Sequence, residues 1–392
     1  MSAPLKPAVA SRLASAGRSH GASAVPVNPP VVRASTFLFE KLADFEEASR
    51  HPFDGPFYGR VGTPTTFAFE QAIAELEGGH RSIAASSGVA AISAVLLAFL
   101  DNGDHLLVVD TVYDPVRRFC NRMLARLGIE TTFYDPAAGA GIGELIRPNT
   151  KLVYLESPGS GTFEVQDVRA IVAAAKAAGA RTAIDNTWAT PLFFRPLDHG
   201  IDVSIHAATK YIVGHSDAML GVVTANAETY DAVRRATQDL GACAGLEECN
   251  LGLRGLRTLA VRLRQHEASA LTLARWLERQ PQVARVLHPA LPSSPGHEFW
   301  KRDFSGSSGL FSIELASREP EAARSFIDAL SMFRIGFSWG GYESLVLPTH
   351  PGKSRSLPLW SGRGPIVRLQ IGLEDTGDLR ADLAQALARL PA

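Results

Sequence analysis

The sequence predicts an α/β fold in which a large domain, built around a mostly parallel sheet, precedes a smaller C-terminal α/β domain. The first observation is that short apolar segments alternate with helical segments as far as about Arg254. The second is that a long helical stretch follows, with Leu256, Leu259 and Leu263 at helical spacing. With 392 residues and 46% hydrophobic residues, the chain is long enough to bury two cores.

The predicted strands of the large sheet are short apolar segments spread along the first domain. They comprise residues 105–110, 129–134, 151–156, 181–185 and 202–205. In the second domain, residues 309–315 and 366–371 have the same character. Because helical segments separate the strands of the first domain, we expect βαβ units and a parallel sheet covered on both faces.

Three helices of the first domain are predicted from their start and stop signals. The first begins at Thr63-Pro64, where threonine is the N-cap and proline takes the first helical position, and it ends at Gly78. The second begins at Asp114-Pro115, and its inward residues are expected to be Cys120, Met123 and Leu127. The third begins after Asp167, with the inward residues Ile171 and Ala175.

The N-terminal segment is expected to be an extended arm or irregular, because residues 1–57 are rich in Ala, Ser and Pro and show little periodicity. A disordered tail is the alternative. Against it, several apolar residues need a docking surface, such as one on a neighbouring subunit: Val31, Val32, Phe37, Leu38 and Phe39. The expected division is an arm contacting a neighbouring subunit at residues 1–60, a first domain at 61–254 and a C-terminal domain at 255–392.

Composition and charge narrow the possible partners. Lys+Arg (39) and Asp+Glu (40) nearly balance and no basic run occurs, so nucleic acid is not expected. The longest apolar run, residues 89–100, is too short to span a bilayer, and the N-terminus lacks a signal-peptide pattern, so a soluble cytoplasmic protein is expected. The three cysteines lack metal-ligand spacing and are expected to be buried thiols in a reducing compartment: Cys120, Cys243 and Cys249.

Residues suited to chemistry occur at the ends of the predicted strands, where ligands of open α/β sheets bind. Gly88 and Val89 open an apolar helix whose free backbone N–H groups suit a phosphate, although such turns usually only permit tight packing. Tyr113 follows the strand that ends at Asp110, and its ring suits stacking on a flat cofactor, although ordinary packing is the commoner role.

Asp185 and Lys210 occupy two further strand ends. A carboxylate at the end of the apolar segment 181–185 needs a partner such as a protonated pyridine nitrogen; a helix N-cap or a structural ion pair is the alternative. Lys210 follows Thr209 after an apolar strand, where burial lowers a lysine pKa toward the neutral amine that forms Schiff bases. A surface position is commoner for any single lysine. The strand-end residues together make a stronger case than any one of them.

Five segments together are typical of one enzyme family: residues 57–60 (FYGR), 183–188 (AIDNTW), 208–217 (ATKYIVGHSD), 338–344 (SWGGYES) and 367–375 (VRLQIGLED). On these segments the chain resembles the Cys/Met-metabolism family of pyridoxal-phosphate-dependent enzymes, and most of all its β-lyase branch. Residues 288–315 are also typical of that branch, so the resemblance covers nearly the whole chain. It implies an aspartate-aminotransferase-like fold (fold type I), pyridoxal 5'-phosphate as the cofactor and a small amino acid as the substrate.

The resemblance also implies roles for the residues at the strand ends. Lys210 is the catalytic lysine that carries the cofactor as a Schiff base, Asp185 is the partner of the pyridinium nitrogen, and Tyr113 stacks on the ring and assists catalysis. The phosphate is expected to be held from one subunit by Gly88, Val89 and Thr209. Many relatives have a phosphate-binding serine three residues before the lysine, and here Ala207 takes that position. The phosphate thereby loses one hydroxyl donor.

Further roles follow for residues outside the predicted sheet edge. Tyr58 and Arg60 are expected to reach the phosphate from the neighbouring subunit, and Tyr58 also the substrate. Arg368 is expected to bind the substrate α-carboxylate, for which a bidentate guanidinium is suited. Ser338 and Trp339 belong to the expected substrate pocket. The family is usually a homotetramer built as a dimer of dimers.

The implied reaction is a carbon–sulfur lyase reaction, the β-elimination of L-cystathionine to homocysteine, pyruvate and ammonia. L-cysteine, L-cystine or another S-substituted cysteine is the alternative substrate, because such pockets reject an extra methylene by only about 1 to 3 kcal/mol. Cystathionine γ-synthase or γ-lyase chemistry is less expected. In γ-acting relatives glutamate often precedes the serine of Ser-x-Gly-Gly, whereas here Phe337 precedes it and Trp339 follows.

Two alternatives come from other classes of protein. A non-catalytic binding protein on the same fold is one of them, since the fold does not fix the function. The intact set of chemistry-bearing residues argues against it: Tyr113, Asp185, Lys210 and Arg368. A nucleotide-binding domain is the other, but no G-x-G-x-x-G follows a strand and no Walker-type lysine occurs.

Overall fold

The computed structural model describes residues 8–18, 24–357, 361–362 and 364–390. The helices within these ranges are α1 Val9–Ser15, α2 Leu42–Arg50, α3 Pro64–Glu77, α4 Gly88–Phe99, α5 Asp114–Phe119, α6 Val168–Ala177, α7 Thr190–Phe193, α8 Tyr230–Asp239, α9 Leu246–Leu277, α10 His297–Asp303, α11 Pro320–Ala329, α12 Pro351–Ser354 and α13 Thr376–Leu387. The strands are β1 Arg81–Ala85, β2 His105–Val109, β3 Glu130–Tyr134, β4 Thr150–Glu156, β5 Arg181–Asp185, β6 Val203–His206, β7 Gly221–Ala225, β8 Val283–Leu287, β9 Leu310–Leu315, β10 Arg334–Ile335, β11 Leu345–Thr349 and β12 Ile366–Gln370. These elements form the predicted α/β fold.

The large sheet has seven strands in the order β1-β7-β6-β5-β4-β2-β3. Strands β3, β2, β4, β5 and β6 are parallel, and only β7 runs against the other six. Every residue of β2, β6 and β7 is buried, as expected for strands covered by helices on both faces. The carboxyl ends of six strands therefore lie at one edge of the sheet, where the loops that follow them meet.

Local signals place the helices that cover this sheet. At the start of α3 the Thr63 N–H donates to the Thr66 hydroxyl at 3.4 Å, Pro64 takes the first helical position, and Gly78 ends the helix, as predicted. Asp167 caps α6 by accepting the N–H of Ala170. In α6 the predicted inward residues Ile171 and Ala175 are both fully buried.

All seven predicted strands are present in the structure, because buried strands are formed by continuous apolar segments. The five segments predicted in the first domain correspond to β2, β3, β4, β5 and β6, and the two in the second domain correspond to β9 and β12. Two strands of the large sheet, β1 and β7, were not predicted. Their sequences, RSIAA and GVVTA, are short and rich in small residues, so the hydrophobic signal is weak although both strands are almost wholly buried.

The helix at Asp114 differs from the prediction in its inward face. Cys120 is buried as predicted, but the side chains of Met123 and Leu127 are each 44% exposed, so their inward placement is wrong. The cause is a π-helical turn at Cys120–Leu124, which follows α5. A turn with i→i+5 hydrogen bonds rotates the residues after it away from the face that a 3.6-residue period predicts.

The N-terminal segment contains two helices, so the expectation of an irregular arm is wrong for these residues. Helix α1 packs on α3 and α9 of the same chain: Leu13 is buried, and its carbonyl accepts a hydrogen bond from Arg257 Nη1 at 2.8 Å. Helix α2 has no buried residue. Residues 1–7 and 19–23 of the predicted arm lie outside the described residues.

The second sheet has five strands in the order β10-β11-β12-β9-β8, antiparallel except for the pair β10 and β11. Helix α9 spans 32 residues and crosses the predicted boundary at 254/255 without a break. Its residues as far as Leu263 pack in the core of the large sheet, and from Ala270 onward they pack in the core of the small sheet. The predicted division into domains stays a prediction. Among the residues that the structure describes, no helix is long and apolar enough to cross a membrane.

Candidate active site

The carboxyl ends of neighbouring parallel strands bring three titratable side chains together. Glu156 ends β4, Asp185 ends β5 and His206 ends β6. Glu156 is directly opposite Asp185 in the β4–β5 register, and Asp185 is opposite Ile205 in the β5–β6 register. All three side chains are at least 90% buried. Buried carboxyl groups are unfavourable unless they are hydrogen bonded or paired, and such groups cluster at functional sites. This edge of the sheet is therefore the candidate active site.

Lys210 lies in the turn that follows β6, at the same edge. Its Nζ donates a hydrogen bond to Ser338 Oγ at 2.9 Å and lies 5.4 Å from the centroid of the Trp339 ring. Burial lowers the pKa of Lys210 to about 8; the Arg368 guanidinium adds to the shift and Asp185 opposes it. A neutral amine is therefore accessible near physiological pH, as nucleophilic or basic lysine chemistry requires.

Asp185 is held in one orientation by Thr187. Its Oδ1 accepts hydrogen bonds from the backbone N–H of Thr187 at 2.9 Å and from the Thr187 hydroxyl, which in turn accepts the N–H of Ala207 at 2.9 Å. Burial raises the pKa of Asp185, although the Thr187 hydrogen bonds, His206 and Lys210 oppose the shift. Among the described residues, no cationic side chain lies within ion-pair distance of Asp185. A cationic ring nitrogen bound next to Asp185 would supply that ionic partner.

Tyr113 is attached to this edge through its backbone. The N–H of Tyr113 donates to Glu156 Oε2 at 2.7 Å, while the Tyr113 side chain stays 42% exposed. Burial, together with the charge of Asp185, raises the pKa of Tyr113, so the hydroxyl keeps its proton at neutral pH. Glu156 was not among the predicted site residues. The signal that identified Asp185, a carboxylate closing a buried strand, is equally present at Glu156.

The N-terminus of α4 fits against the lysine-bearing segment. Ser87 caps the helix by accepting the N–H of Ala90 at 3.1 Å, which leaves the first N–H groups of α4, at Gly88 and Val89, without intrahelical partners. A Cβ on Gly88 would lie only 2.6 Å from the Cβ of Ala207. Glycine at position 88 therefore lets this helix end approach the segment that leads to Lys210.

Thr209 is already engaged within the chain. Its hydroxyl donates to the Leu220 carbonyl at 3.1 Å and accepts the Leu220 N–H at 2.8 Å. To donate to a phosphate, as the sequence interpretation expects, this hydroxyl would have to turn its proton away from Leu220.

Arg368 and the loop 337–341 approach from the small sheet. Arg368 lies on β12, and its Nη2 donates to the carbonyls of Phe337 at 3.2 Å and Ser338 at 3.4 Å. Burial lowers the pKa of Arg368, and none of the ion pairs between described residues includes this guanidinium. The loop comes close because Gly340 has φ +86° and a Cβ there would lie 2.8 Å from the Tyr211 backbone nitrogen.

Some of the predicted site residues are not brought to this edge within one chain. Arg60 Nη1 donates to the Gln238 carbonyl at 2.9 Å and its guanidinium lies 6.0 Å from the Tyr58 ring centroid. No hydrogen bond between described residues links Tyr58 or Arg60 to the pocket around Lys210. The Phe337 side chain is 91% exposed, so within this chain it does not line the pocket, and the apolar character expected there rests on Trp339.

The donor set fits pyridoxal 5'-phosphate. The unpartnered N–H groups at the start of α4 suit a phosphate, the buried Asp185 suits a protonated pyridine nitrogen, and Lys210 offers an amine of lowered pKa. Arg368 would remain for a substrate carboxylate. Among the described residues, no group of three or more His, Cys, Asp or Glu side chains could hold a metal ion.

Comparisons with known proteins agree with this donor set. The model of the Cys/Met metabolism PLP-dependent enzyme family matches residues 10–388. The cystathionine beta-lyase of Escherichia coli strain K12 is 48% identical over 386 residues, which cover 97% of this chain and 98% of that protein. The L-alanine/L-glutamate racemase of Wolbachia pipientis wMel is 40% identical over 391 residues, with 97% and 96% covered. A crystal structure of the cystathionine gamma synthase from Xanthomonas oryzae pv. oryzae, in complex with aminoacrylate and cysteine, gives a TM-score of 0.90 at 33% identity and covers 98% of this chain and 99% of that one.

Proposed function

Because the chain belongs to the Cys/Met metabolism family of pyridoxal-phosphate-dependent enzymes, we propose that it is a carbon–sulfur lyase that converts L-cystathionine to homocysteine, pyruvate and ammonia. The observation that carries the proposal is the position of Lys210. Its amine has a pKa lowered to about 8 and is near enough to both Asp185 of the large sheet and the Arg368 guanidinium of the small sheet for their charges to act on it. An amino acid held by Arg368 would present its α-carbon to this amine.

The cofactor supplies an electron sink for the carbanion that forms at the α-carbon. Lys210 is the base at hand for the α-proton, since its pKa of about 8 leaves part of the amine neutral at physiological pH. Asp185, fixed by Thr187, keeps a negative charge next to the expected ring nitrogen. This charge maintains the protonation of that nitrogen.

Arg368 fixes the orientation of the substrate. Its guanidinium can bind the α-carboxylate in a bidentate manner while its contacts to the loop 337–338 hold that loop over Lys210. Ser338 holds the Lys210 amine, and Trp339 covers it. The Tyr113 hydroxyl has a raised pKa and so keeps its proton at neutral pH, which lets it assist Lys210 in protonating the leaving sulfur.

The proposal includes a site shared between chains in a homotetramer built as a dimer of dimers. Tyr58 is 45% exposed, and the Arg60 guanidinium is hydrogen bonded to Gln238 on α8 and lies near the Tyr58 ring, so we expect both residues to be available to a neighbouring copy. Leu38 (95% exposed) and Leu42 (71% exposed) are apolar side chains that a partner subunit would cover.

All three cysteines are free, which supports a reducing compartment such as the cytoplasm. Cys243 is exposed, so the expectation of three buried thiols is wrong for this residue.

The substrate and the bond that is broken are tested with the purified holoenzyme and L-cystathionine. Pyruvate with homocysteine is the expected product pair. Formation of 2-oxobutyrate with cysteine would overturn β-elimination in favour of γ-elimination. Parallel assays with L-cysteine and L-cystine rank the alternative substrates. Borohydride reduction should leave the cofactor covalently attached to the peptide that contains Lys210, and attachment elsewhere would contradict the role of this lysine.

The relative named as a racemase defines a second reaction to be assayed. Racemisation needs removal of the α-proton, which Lys210 can perform on a substrate without a leaving group, and return of a proton to the opposite face of the α-carbon. Incubation with L-alanine or L-glutamate therefore tests it, with the D-enantiomer as the readout. We expect pyruvate from cystathionine to form much faster than either D-amino acid. The reverse ranking would make racemisation the principal activity.

A further inference from the structure

Glu156 is a buried acidic residue that the proposed mechanism does not use. It is 8% exposed, at the end of β4, and parallel strands place register partners side by side at about 5 Å. Its register partner is Asp185, so two carboxyl groups lie next to each other in the interior. Two adjacent buried carboxyl groups cannot readily both be charged, and one proton shared by the pair resolves the conflict.

The surroundings decide which of the two carboxyl groups keeps the proton. Asp185 accepts two hydrogen bonds from Thr187 and has Lys210 and His206 nearby, all of which favour its charged form. Glu156 accepts the Tyr113 N–H at 2.7 Å, and Ser160 also favours its charged form by hydrogen bonding, but burial and the neighbouring Asp185 outweigh these contacts and raise its pKa well above the ordinary range. The proton therefore belongs on Glu156 at neutral pH.

The other groups that face this pair do not change the assignment. Tyr154 precedes Glu156 by two residues on the same face of β4, and burial raises its pKa well above the ordinary value, so it is neutral. Tyr113 is neutral for the same reason. Two further titratable groups lie at the neighbouring strand ends: Asp110, directly after β2, is paired with Arg117 at 2.7 Å, and His206 is hydrogen bonded through Nε2 to Glu77 on α3.

We propose that Glu156 is a positioning residue, present as the neutral acid, that fixes the backbone of Tyr113 over the cofactor site and leaves the negative charge of the pair on Asp185. The inference rests on the proposed function, because Tyr113 and Asp185 act there through the bound cofactor. Glu156 contacts neither substrate nor cofactor in it. An uncharged side chain of the same shape, with an oxygen for the Tyr113 N–H, should therefore replace it.

The isosteric pair Glu156→Gln and Glu156→Met tests this, because glutamine keeps the acceptor and methionine removes it. Visible absorbance and circular dichroism of each holoenzyme report the environment of the bound cofactor, and its release after dilution reports retention. We expect Glu156→Gln to match the unmodified enzyme within about threefold, and Glu156→Met to release the cofactor roughly tenfold faster with an altered dichroism signal.

Asp382 provides the matched control. It is also buried and also accepts backbone N–H groups, those of Ser331 at 2.9 Å and Met332 at 2.8 Å, but it packs under the small sheet. Asp382→Asn and Asp382→Leu should lower the melting temperature without altering the cofactor signal. If Asp382→Leu changes that signal as much as Glu156→Met, the effect of Glu156 is a general loss of stability and the proposal fails.

Three other outcomes would overturn the inference. If Glu156→Gln releases the cofactor as fast as Glu156→Met, the negative charge of Glu156 is needed. If Glu156→Met retains the cofactor like the unmodified enzyme, the hydrogen-bond acceptor for the Tyr113 N–H is not needed. If Glu156→Met does not fold, Glu156→Asp, which withdraws the carboxyl from Tyr113, must still release the cofactor faster. An unmodified enzyme that binds the cofactor but forms no pyruvate would instead refute the proposed function and leave this test intact.

Discussion

At the scale of single residues, the environment of Lys210 determines what the site can do. A lysine in water is almost fully protonated at neutral pH, whereas burial and the Arg368 guanidinium bring the pKa of Lys210 to about 8. Ser338 accepts a hydrogen bond from the amine at 2.9 Å and so fixes its direction. The amine is thus both oriented and partly neutral before any ligand is bound.

Attachment of the cofactor to the apoenzyme should therefore depend on pH with an apparent pKa near 8. Only the neutral amine attacks a carbonyl, so the rate should rise as the pH increases through this value and level off above it. Stopped-flow absorbance after mixing with pyridoxal phosphate measures the rate. Replacing the exposed Lys301 by Arg should leave the profile unchanged. A rate that still rises steeply near pH 10 would contradict the lowered pKa.

The guanidinium of Arg368 should matter for its shape as well as its charge. Replacing it by Lys keeps the charge but loses the bidentate geometry and the contacts to Phe337 and Ser338. We expect kcat/KM for cystathionine to fall by about 10- to 100-fold, mostly through KM. Steady-state pyruvate formation measures it, with exposed Arg334→Lys as the control. An unchanged KM would remove Arg368 from carboxylate binding.

At the scale of elements, the site exists because strand ends and a helix end meet without a gap. The six strands that share one direction place their final residues at one edge, and α4 presents its N-terminus there. The distance between α4 and the lysine-bearing segment is set by two small residues, Gly88 and Ala207. Many relatives have a serine where this chain has Ala207. Here the small side chain lets α4 approach the lysine-bearing segment, but it supplies no hydroxyl donor.

Adding a single methyl group at this contact should weaken cofactor binding. In Gly88→Ala the new Cβ would lie 2.6 Å from that of Ala207, so α4 must move away and its N–H groups with it. We expect pyridoxal phosphate to bind the apoenzyme at least about tenfold more weakly, as titration by absorbance would show. Gly141→Ala is the control, because no atom lies within 4 Å of its added Cβ. Equal affinities of the two variants would contradict a close approach.

At the scale of the whole molecule, two sheets and a second copy of the chain are expected to build one site. Lys210 and Asp185 come from the large sheet, whereas Ser338 and Arg368 come from the region of the small sheet. Tyr58 and Arg60 lie elsewhere in their own chain. A shared site accounts for their predicted role.

Hybrid oligomers test the shared site directly. Chains carrying Arg60→Ala and chains carrying Lys210→Ala should each show little pyruvate formation. In a mixed dimer one of the two sites receives intact Lys210 from one chain and intact Arg60 from the other. The isolated hybrid should then have about half of the unmodified activity, and a randomly associated mixture about a quarter. Co-expression with two affinity tags isolates the hybrid, and a hybrid no more active than its parents would contradict the shared site.

The parts of the fold that could be predicted are those in which one physical signal dominates. Strands β4 and β5 read as apolar runs closed by a carboxylate, and this pattern also identified Asp185. Strand β7 was missed because Gly, Thr and Ala carry little hydrophobic signal although the strand is wholly buried. The side chain of Met123 was misplaced because no sequence pattern marked the π-helical turn that contains it.

The site was predictable in its residue types but not in its hydrogen bonds. Lys210, Asp185 and Arg368 were chosen by chemistry and by resemblance, and the structure brings them to one region. The pairing of Glu156 with Asp185 depends on the register of β4 against β5, which no local pattern specifies. The exposure of Phe337 likewise depends on where the loop 337–341 packs, so its chemical character alone could not place it.

Helix α9 has a mechanical consequence. At 32 residues it is roughly 48 Å long, and its two halves are buried in different cores. Unravelling either core would expose half of one continuous rod, so melting should spread from one sheet to the other as a single event rather than in two stages. Because α9 is part of both cores, it also sets the distance between the large-sheet residues of the site, such as Lys210, and the small-sheet residues, such as Arg368. A substitution that breaks α9 near its midpoint should therefore increase the separation of the two sheets without altering any residue that takes part in the reaction.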